Sequence, residues 1–342
     1  MVSVVRDMVE LPFGMNLARI LAGVRDASQA ILNIYDKQYS DFNIQTKSDD
    51  SPVTSADLAS DAVLRAMLED LLPFGADAIV SEEHAISHSR AGRLLVAGKP
   101  VVFVDPLDGT KEFIKRSGQF VINIGIVEKE RPVFGLIHAP VTGETLIGWK
   151  NLNGSTGSII TLVGRSKELD VIESETVDLR NVVLGHHDQS DPEGKTDAPP
   201  PRGGRVYKLL LSGSAPPDQA GFVSVKNILE QAGIAVRVIR MGSALKFCRI
   251  CDGSADIYLR RAPTYYWDTV SGQALVEASG GSMASLSLDW KDSDCANLFK
   301  QFDYCDPAFM NPGFAVFGAT VSHSERRKIL RALNDHLGRS RP

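Results

Sequence analysis

The sequence lacks several features that mark large classes of proteins. Its 342 residues include four cysteines, too few for the disulfide framework of a small secreted domain. No apolar run approaches the roughly 20 residues that a membrane-spanning helix needs. The first residues, MVSVVRDMVELPF, do not combine a basic start with a long apolar segment. We therefore expect a cytoplasmic protein without an integral membrane segment, while peripheral attachment at the inner membrane stays open.

Positive charge is not in excess either. The chain carries 37 Lys and Arg against 42 Asp and Glu, a net charge of −5. Because nucleic-acid binding depends on clustered Lys and Arg, we expect no nucleic-acid partner, and an anionic ligand requires a local site. The 43% apolar content is ordinary for a globular protein and can fill the core of one large domain or two smaller ones.

A C-x-x-C pair, Cys248 and Cys251, lies in the helix-like run SALKFCRICDG. Such pairs occur in redox motifs and as halves of zinc sites. A second C-x-x-C and a suitably spaced His are both missing from the sequence, so we expect buried structural thiols here.

Apolar spacing predicts the secondary structure. A helix is expected from Leu17 to Ile34, and a second one follows the turn at Pro52, starting near Thr54. Strands are expected at 77–81, 101–104, 120–127 and 133–138, followed by a hairpin return through GETLIGW. Helices and strands alternate again beyond the polar surface loop 188–205. This alternation is typical of an α/β or layered α+β enzyme.

The stretch VVFVDPLDGTKEF places Asp105 and Asp108 directly after an apolar strand. Gly109 supplies unusual backbone torsions, and a short helix is expected to start near Thr110. Backbone N–H groups at a helix start bind phosphate, but carboxylates repel it unless cations lie between them. Oxygen ligands favour Mg²⁺ or Mn²⁺. The same pattern also fits a solvated turn with a helix cap.

Further acidic residues lie far away in the chain. Glu82 and Glu83 close the first predicted strand, while Asp57 and Asp268 stand at helix starts. Each has an ordinary alternative role: Glu83 as a solvated charge or as a charge behind the ligands themselves, and Asp57 and Asp268 as helix caps.

Spacing tests two other kinds of site. Counted from Asp105, the third, fifth and twelfth positions of an EF-hand loop would be Leu107, Gly109 and Arg116, which cannot serve as its side-chain ligands. Haloacid-dehalogenase phosphatases place their second Asp two residues after the nucleophile, whereas here the interval is three.

Taken together, these motifs resemble the lithium-sensitive, Mg²⁺-dependent phosphatase superfamily that includes inositol monophosphatase. The resemblance rests on DPLDGT at 105–110, with Glu82 upstream and Trp267-Asp268 downstream. Further stretches resemble its CysQ-type 3′(2′),5′-bisphosphate nucleotidases: SPVTSAD at 51–57, KEF at 111–113, GSALKFC at 242–248 and NPGF at 311–314.

The resemblance implies a sugar-phosphatase fold with layers in the order αβαβα. It also implies an N-terminal α+β subdomain, residues 1–152, that carries most metal ligands. A C-terminal α/β subdomain, residues 153–342, would carry Asp268 and the substrate-recognition residues. The small polar residues 151–158 mark the expected seam between the two subdomains.

The resemblance further implies two or three Mg²⁺ ions. Glu82, Asp105 and the Leu107 carbonyl would hold one, and Asp105, Asp108 and Asp268 a second, with Glu82 also touching a looser third. Asp57 and the Thr110 hydroxyl would orient or deprotonate the attacking water, so that Asp57, Glu82 and Thr110 form the catalytic group. The implied substrate contacts are Leu107, Asp108, Gly109, Thr110, Lys111, His187, Gly242, Ser243, Lys246 and Asp268.

The implied reaction removes the 3′-phosphate of adenosine 3′,5′-bisphosphate, a by-product of sulfate activation, leaving AMP. One departure concerns the adenosine end: where CysQ-type enzymes show Ser-Arg-Ser-His, this chain reads LGHHD at 184–188, which leaves open whether His186 or His187 contacts substrate. An inositol- or sugar-phosphate phosphatase and a catalytically silent phosphate-binding protein are the alternatives. The expected partner is a small phosphorylated nucleotide, and a homodimer stays open.

Overall fold

A computed structural model of the protein describes residues 11–38, 42–47, 52–84, 88–149, 158–162, 205–213, 225–286 and 302–337. The α-helices in these ranges are α1 (Leu17–Tyr35), α2 (Ser55–Leu71), α3 (His88–Val96), α4 (Thr110–Ile114), α5 (Val225–Gln231), α6 (Leu245–Cys251), α7 (Val270–Ala278) and α8 (His323–Leu337). Short 3-10 turns cover Pro12–Gly14, Ala76–Ala78 and Tyr266–Asp268. Within these ranges, no helix combines the length and apolar character needed to cross a membrane.

Two larger sheets form the framework. Strands β3 (Ile79–Ser81), β4 (Val101–Asp108), β5 (Val121–Glu128), β6 (Arg131–Ala139), β7 (Glu144–Trp149) and β8 (Ser158–Leu162) make the first sheet in chain order. The second sheet has the order β10 (Val236–Met241), β9 (Tyr207–Ser212), β11 (Ile257–Arg260), β15 (Gly313–Phe317) and β13 (Ser282–Leu286). Short ladders join β1 (Gln45–Thr46) to β2 (Pro52–Val53), and β12 (Thr264–Tyr265) to β14 (Met310–Asn311).

Five layers of helices and sheets pack around three hydrophobic cores. The first core holds α1 and α2 against one face of the first sheet. The middle core contains α6 and α7, which lie between the two sheets. The third core packs α5 and α8 on the far face of the second sheet. The expected αβαβα layering and the layered α+β class are therefore confirmed.

A row of glycines crosses the first sheet beneath α7. Gly125 lies opposite Gly135, and Gly135 lies opposite Gly148, on strands β5, β6 and β7. A Cβ atom at Gly135 would overlap the carbonyl oxygen of Ser271 on α7, and one at Gly148 would lie 3.1 Å from the Ala278 Cβ atom. The missing side chains let the helix approach the sheet backbone closely. Because α7 begins directly after Asp268, this contact also fixes where Asp268 lies.

The predicted helices and strands form, with two differences. The strand expected at 101–104 was to end at Val104, with Asp105 and Asp108 on a turn directly after it. Instead, β4 continues to Asp108 and pairs with β5 beyond a register shift between Asp105 and Asp108. The first sheet also extends past the expected seam, since β8 pairs with β7. The division at residue 152 stays a prediction.

Candidate active site

The end of β4 carries two of the expected carboxylates. The register shift between Asp105 and Asp108 bends the strand, and the Leu107 N–H donates to Asp105 Oδ1 over 3.0 Å. Gly109 follows with φ +98°, a value that suits glycine, and α4 starts at the next residue. A Cβ atom at Gly109 would lie 2.9 Å from the Gln119 carbonyl oxygen. Only a glycine allows so abrupt a strand-to-helix transition here.

Asp268 joins this pair from the other side of the molecule. It ends the 3-10 turn before α7 and accepts a hydrogen bond of 2.9 Å from the Tyr265 N–H. One carboxylate oxygen from each of Asp105, Asp108 and Asp268 can be chosen so that all three lie within 4.8 Å of one another. Sequence positions about 160 residues apart thus meet in one acidic cluster, in which Asp105 is buried and Asp108 and Asp268 are half-buried.

The electrostatics of this cluster fit a divalent cation. Burial raises the pKa of Asp268 to about 7, and the nearby Asp108 and Glu82 charges act in the same direction. Burial followed by the Glu82 and Asp108 charges holds the pKa of Asp105 well above its usual range. Such like charges repel each other unless a cation neutralises them. The ligands are all oxygens, as Mg²⁺ prefers.

Asp57 both caps α2 and contacts Thr110, the first residue of α4 after β4. Its Oδ2 atom accepts hydrogen bonds from the Thr54 N–H (2.8 Å) and hydroxyl (2.6 Å). Its Oδ1 atom accepts one of 3.0 Å from the Thr110 hydroxyl. The Leu107 carbonyl lies farther from that hydroxyl, at 3.4 Å. Burial raises the pKa of Asp57 to about 6, so this carboxylate is suited to accept a proton near neutral pH.

Two more residues on the same face of α2 hold neighbouring segments of the site. The Ser60 hydroxyl donates to the Pro106 carbonyl over 2.8 Å, within the bend of β4. Asp61 accepts a hydrogen bond from Ser81 and lies 2.8 Å from His84 Nδ1, at either side of Glu82. One helix therefore supports Glu82, the β4 bend and Thr110 together. The sequence pattern predicted Asp57 but neither of the other two.

Lys47 is another residue near the site that the sequence motifs did not predict. Its ammonium group contacts Glu82 Oε1 at 2.7 Å and Glu83 Oε1 at 2.6 Å. The Glu83 side chain is 6% exposed and shares Lys47 with Glu82, so of its two alternatives the solvated charge is wrong and the charge that supports Glu82 fits. Burial raises the pKa of Glu83 to about 7. Although burial opposes it, the attraction of Glu82 and Glu83 raises the pKa of Lys47 above its usual value.

The segment 242–246 lies against the end of β4 that carries Asp108. The Ala244 N–H donates to Asp108 Oδ2, and the Gly242 N–H donates to Gln119 Oε1 over 2.8 Å. Lys246 points inward: it is 2% exposed, and its ammonium donates to the Met241 and Ser243 carbonyls.

Arg260 is a further cation near the acidic cluster. Its charge acts on both Asp108 and Asp268, lowering their pKa values against the effect of burial. Its Nε atom is buried without a hydrogen-bond partner among the described residues. The run ADIYLR gave no sign of this role beyond the positive charge itself.

The remaining expected substrate residues fall into two groups. Lys111 is exposed on the first turn of α4. His187, its neighbour His186 and most of the loop 188–205 lie outside the described residues.

The C-x-x-C pair belongs to the hydrophobic interior. Cys248 is buried and Cys251 half-buried on α6, and both thiols are free. Burial raises the pKa of the Cys248 thiol well above its usual value and that of Cys251 to about 12. Both are therefore unreactive thiols, as expected.

Comparisons with known proteins agree with this geometry. The family model described as "Inositol monophosphatase family" matches residues 16–306. The chain is 31% identical to the 3′(2′),5′-bisphosphate nucleotidase CysQ of Salmonella typhimurium over 88% of this chain and 98% of that protein. It is 30% identical to CysQ of Escherichia coli over 85% and 95%, respectively.

Solved structures of similar fold include CysQ from Bacteroides thetaiotaomicron. That structure shares 26% identity at a TM-score of 0.58, covering 88% of this chain and 96% of the other. An inositol monophosphatase of Thermotoga maritima has 17% identity and a TM-score of 0.57, over 94% and 99% of the two chains, which supports the fold alone. The family match spans most of the chain and includes Asp57, Glu82 and all three clustered aspartates. The chain belongs to the inositol monophosphatase family.

Proposed function

We propose that this protein is a Mg²⁺-dependent phosphomonoesterase that converts adenosine 3′,5′-bisphosphate to AMP and phosphate. The observation that carries the proposal is the acidic cluster of Asp105, Asp108 and Asp268 beside the hydrogen-bonded pair Asp57 and Thr110. The names of the CysQ relatives supply the substrate class. We also expect a cytoplasmic enzyme that acts on a small nucleotide rather than on nucleic acid.

The proposed ligand sets follow the family pattern. Glu82, Asp105 and the Leu107 carbonyl would hold one Mg²⁺, and Asp105, Asp108 and Asp268 a second, with Glu82 contributing to a third. Bound Mg²⁺ supplies Lewis-acid polarisation and neutralises charge on the phosphate. Burial, together with the repulsion between neighbouring carboxylates, raises the pKa values of Asp105 and Asp268, which supports these assignments.

Thr110 and Asp57 would handle the proton of the attacking water. The Thr110 hydroxyl donates its single proton to Asp57 Oδ1, which leaves its oxygen free to accept a hydrogen bond from water. Asp57, held by Thr54, keeps this hydroxyl in one orientation. The N–H groups of Gly109 and Thr110 would hold phosphate oxygens as charge redistributes at phosphorus.

Recognition of the second phosphate would come from cations beside the cluster. Arg260, with its buried and unpartnered Nε atom, is the stronger candidate on geometry. Lys246, whose ammonium is already bound to two backbone carbonyls, would contribute its charge from behind the turn at Ser243. Lys111, Gly242, Ser243 and His187 stay predicted contacts.

A panel of phosphate esters at saturating Mg²⁺ tests the assignment. Adenosine 3′,5′-bisphosphate should exceed AMP and inositol 1-phosphate in kcat/KM by about 10²-fold or more, equivalent to about 3 kcal/mol of differential transition-state binding. Equal or better turnover of inositol 1-phosphate would reject the nucleotidase and favour an inositol- or sugar-phosphate phosphatase. Absence of turnover for every ester would favour a silent phosphate-binding protein.

Isotope labelling tests the mechanism separately. A single turnover in ¹⁸O-water should place the label in released phosphate and none in the protein, because water attacks phosphorus directly in the proposed route. Label recovered on Asp105 would instead indicate an aspartyl-phosphate intermediate.

A further inference from the structure

Ser243 lies in a turn that is clamped on both sides. The Gly242 N–H before it donates to Gln119 Oε1 over 2.8 Å, and the Ala244 N–H after it donates to Asp108 Oδ2. Asp108 ends β4 and Gln119 lies just before β5, both strands of the first sheet, whereas the turn follows β10 of the second sheet. These two hydrogen bonds join the expected substrate turn to the metal-binding strand.

The turn depends on this clamp because its backbone is not locally favoured. Ser243 has φ +47°, in the left-handed region that residues other than glycine seldom adopt. The cost of such a conformation and the net stabilisation from one hydrogen bond are of the same order. Lys246 also holds the Ser243 carbonyl, but it does not join the turn to the first sheet. Losing one of the two hydrogen bonds to the first sheet should therefore let the turn move relative to β4.

Close packing makes the position of this turn specific. A Cβ atom at Gly109 would lie 3.1 Å from Ser243 Cβ, and one at Gly242 would overlap the Glu112 side chain. The turn therefore fits against Gly109 in one register. Asp108 is already committed to the acidic cluster, so Gln119 is the half-buried side chain that can hold the turn without also serving the metals.

We propose that Gln119 is a positioning residue that sets substrate selectivity, by holding the Ser243 turn in register with Asp108. This inference rests on the proposed function, in which Ser243 contacts the nucleotide. Gln119 touches the Gly242 backbone and acts on substrate only through the turn. Its removal should therefore weaken binding of the remote part of the substrate while leaving the reacting phosphate and the metals in place.

Three variants test the proposal. Gln119→Leu keeps the approximate size of the side chain and removes the acceptor, whereas Gln119→Glu retains an acceptor. Gln231→Leu makes the same chemical change at an exposed position at the end of α5 and serves as the matched control. Hydrogen exchange at the Gly242 amide, measured without substrate, should become about fivefold to tenfold faster in Gln119→Leu alone.

The kinetic arm compares adenosine 3′,5′-bisphosphate with an aryl phosphate. Gln119→Leu should lower the ratio of their kcat/KM values about tenfold, through a higher KM for the bisphosphate, with aryl phosphate hydrolysis unchanged. Gln119→Glu should keep the ratio within about threefold of wild type. Unchanged Gly242 exchange, or an equal loss for both substrates, overturns the proposal. If wild type prefers another ester, the proposed function fails, while the exchange result still decides whether Gln119 holds the turn.

Discussion

Asp57 Oδ1 accepts a hydrogen bond of 3.0 Å from the Thr110 hydroxyl, although 53 residues separate the two in the chain. The same carboxylate caps α2 through Thr54. A helix start and a strand-to-helix transition are thus joined by one side chain. The cap is confirmed, and the role of Asp57 as a site residue, which stays a prediction, is compatible with it because its two oxygens face different partners.

The first prediction follows from this contact. Thr110→Val keeps the shape of the side chain but removes the hydroxyl, and should lower kcat about 10²-fold, since the water loses the group that orients it. Thr110→Ser should retain activity within about tenfold. Steady-state kinetics at saturating Mg²⁺ measure both. Equal activity of the Val and Ser variants would exclude a role for the hydroxyl.

The second prediction concerns Asp108. Asp108→Asn should lower kcat by at least about 10²-fold, because it removes a charged ligand from the cluster. It should also stabilise the metal-free protein and reduce the rise in Tm on adding Mg²⁺, since one of the repelling charges is gone. The exposed Asp77, changed to Asn, provides the control. Full wild-type turnover in excess EDTA would contradict the metal requirement.

The third prediction tests the glycine row. Gly135→Ala should lower the free energy of unfolding by about 1–3 kcal/mol, because the new methyl group would overlap the Ser271 carbonyl oxygen. It should also raise the Mg²⁺ concentration for half-maximal activity, since a displaced α7 moves Asp268. Gly92→Ala, where the nearest atom would be 3.6 Å away, is the control. Denaturant unfolding and Mg²⁺ titration provide the measurements. A wild-type free energy of unfolding together with a wild-type Mg²⁺ requirement would contradict this prediction.

The fourth prediction is a pH dependence of stability. Burial lowers the pKa of His138 from 6.5 to about 4, and its ring nitrogens contact Ser28 and Thr145. Between these pH values the unfolded chain binds a proton that the folded protein does not, so this contribution to stability is lost as pH falls from 6.5 towards 4. The full difference corresponds to about 3 kcal/mol.

His138→Gln removes the titrating group while keeping hydrogen-bonding capacity. The difference in free energy of unfolding between wild type and this variant should therefore change with pH across that range. Urea denaturation at several pH values, at fixed Mg²⁺, measures the difference, in which the other titrating groups cancel. A difference that is constant from pH 4.5 to 7 would contradict the assignment.

Much of the site could be predicted from short stretches of sequence. The order of strand, acidic pair, glycine and helix start in VFVDPLDGT is local, because neighbouring residues must emerge at the same end of β4. Helical periodicity similarly predicted α1 and α2, where one face is buried and the other exposed, and the continuous apolar run predicted β5, which is buried on both faces. Even here the turn was wrong, since the pairing of Asp108 with Val121 that keeps it in β4 is a contact between strands.

By itself, the sequence determined the residue types of the acidic cluster and the family to which they belong. Only the tertiary structure decided that Lys47 holds Glu82, that Asp61 supports Ser81 and His84, and that Asp268, in the turn before α7, lies beside the end of β4. The physical reason is that these contacts depend on the approach of distant backbones. The glycines that permit the closest approach leave no periodic pattern, because a glycine acts here through the side chain it lacks.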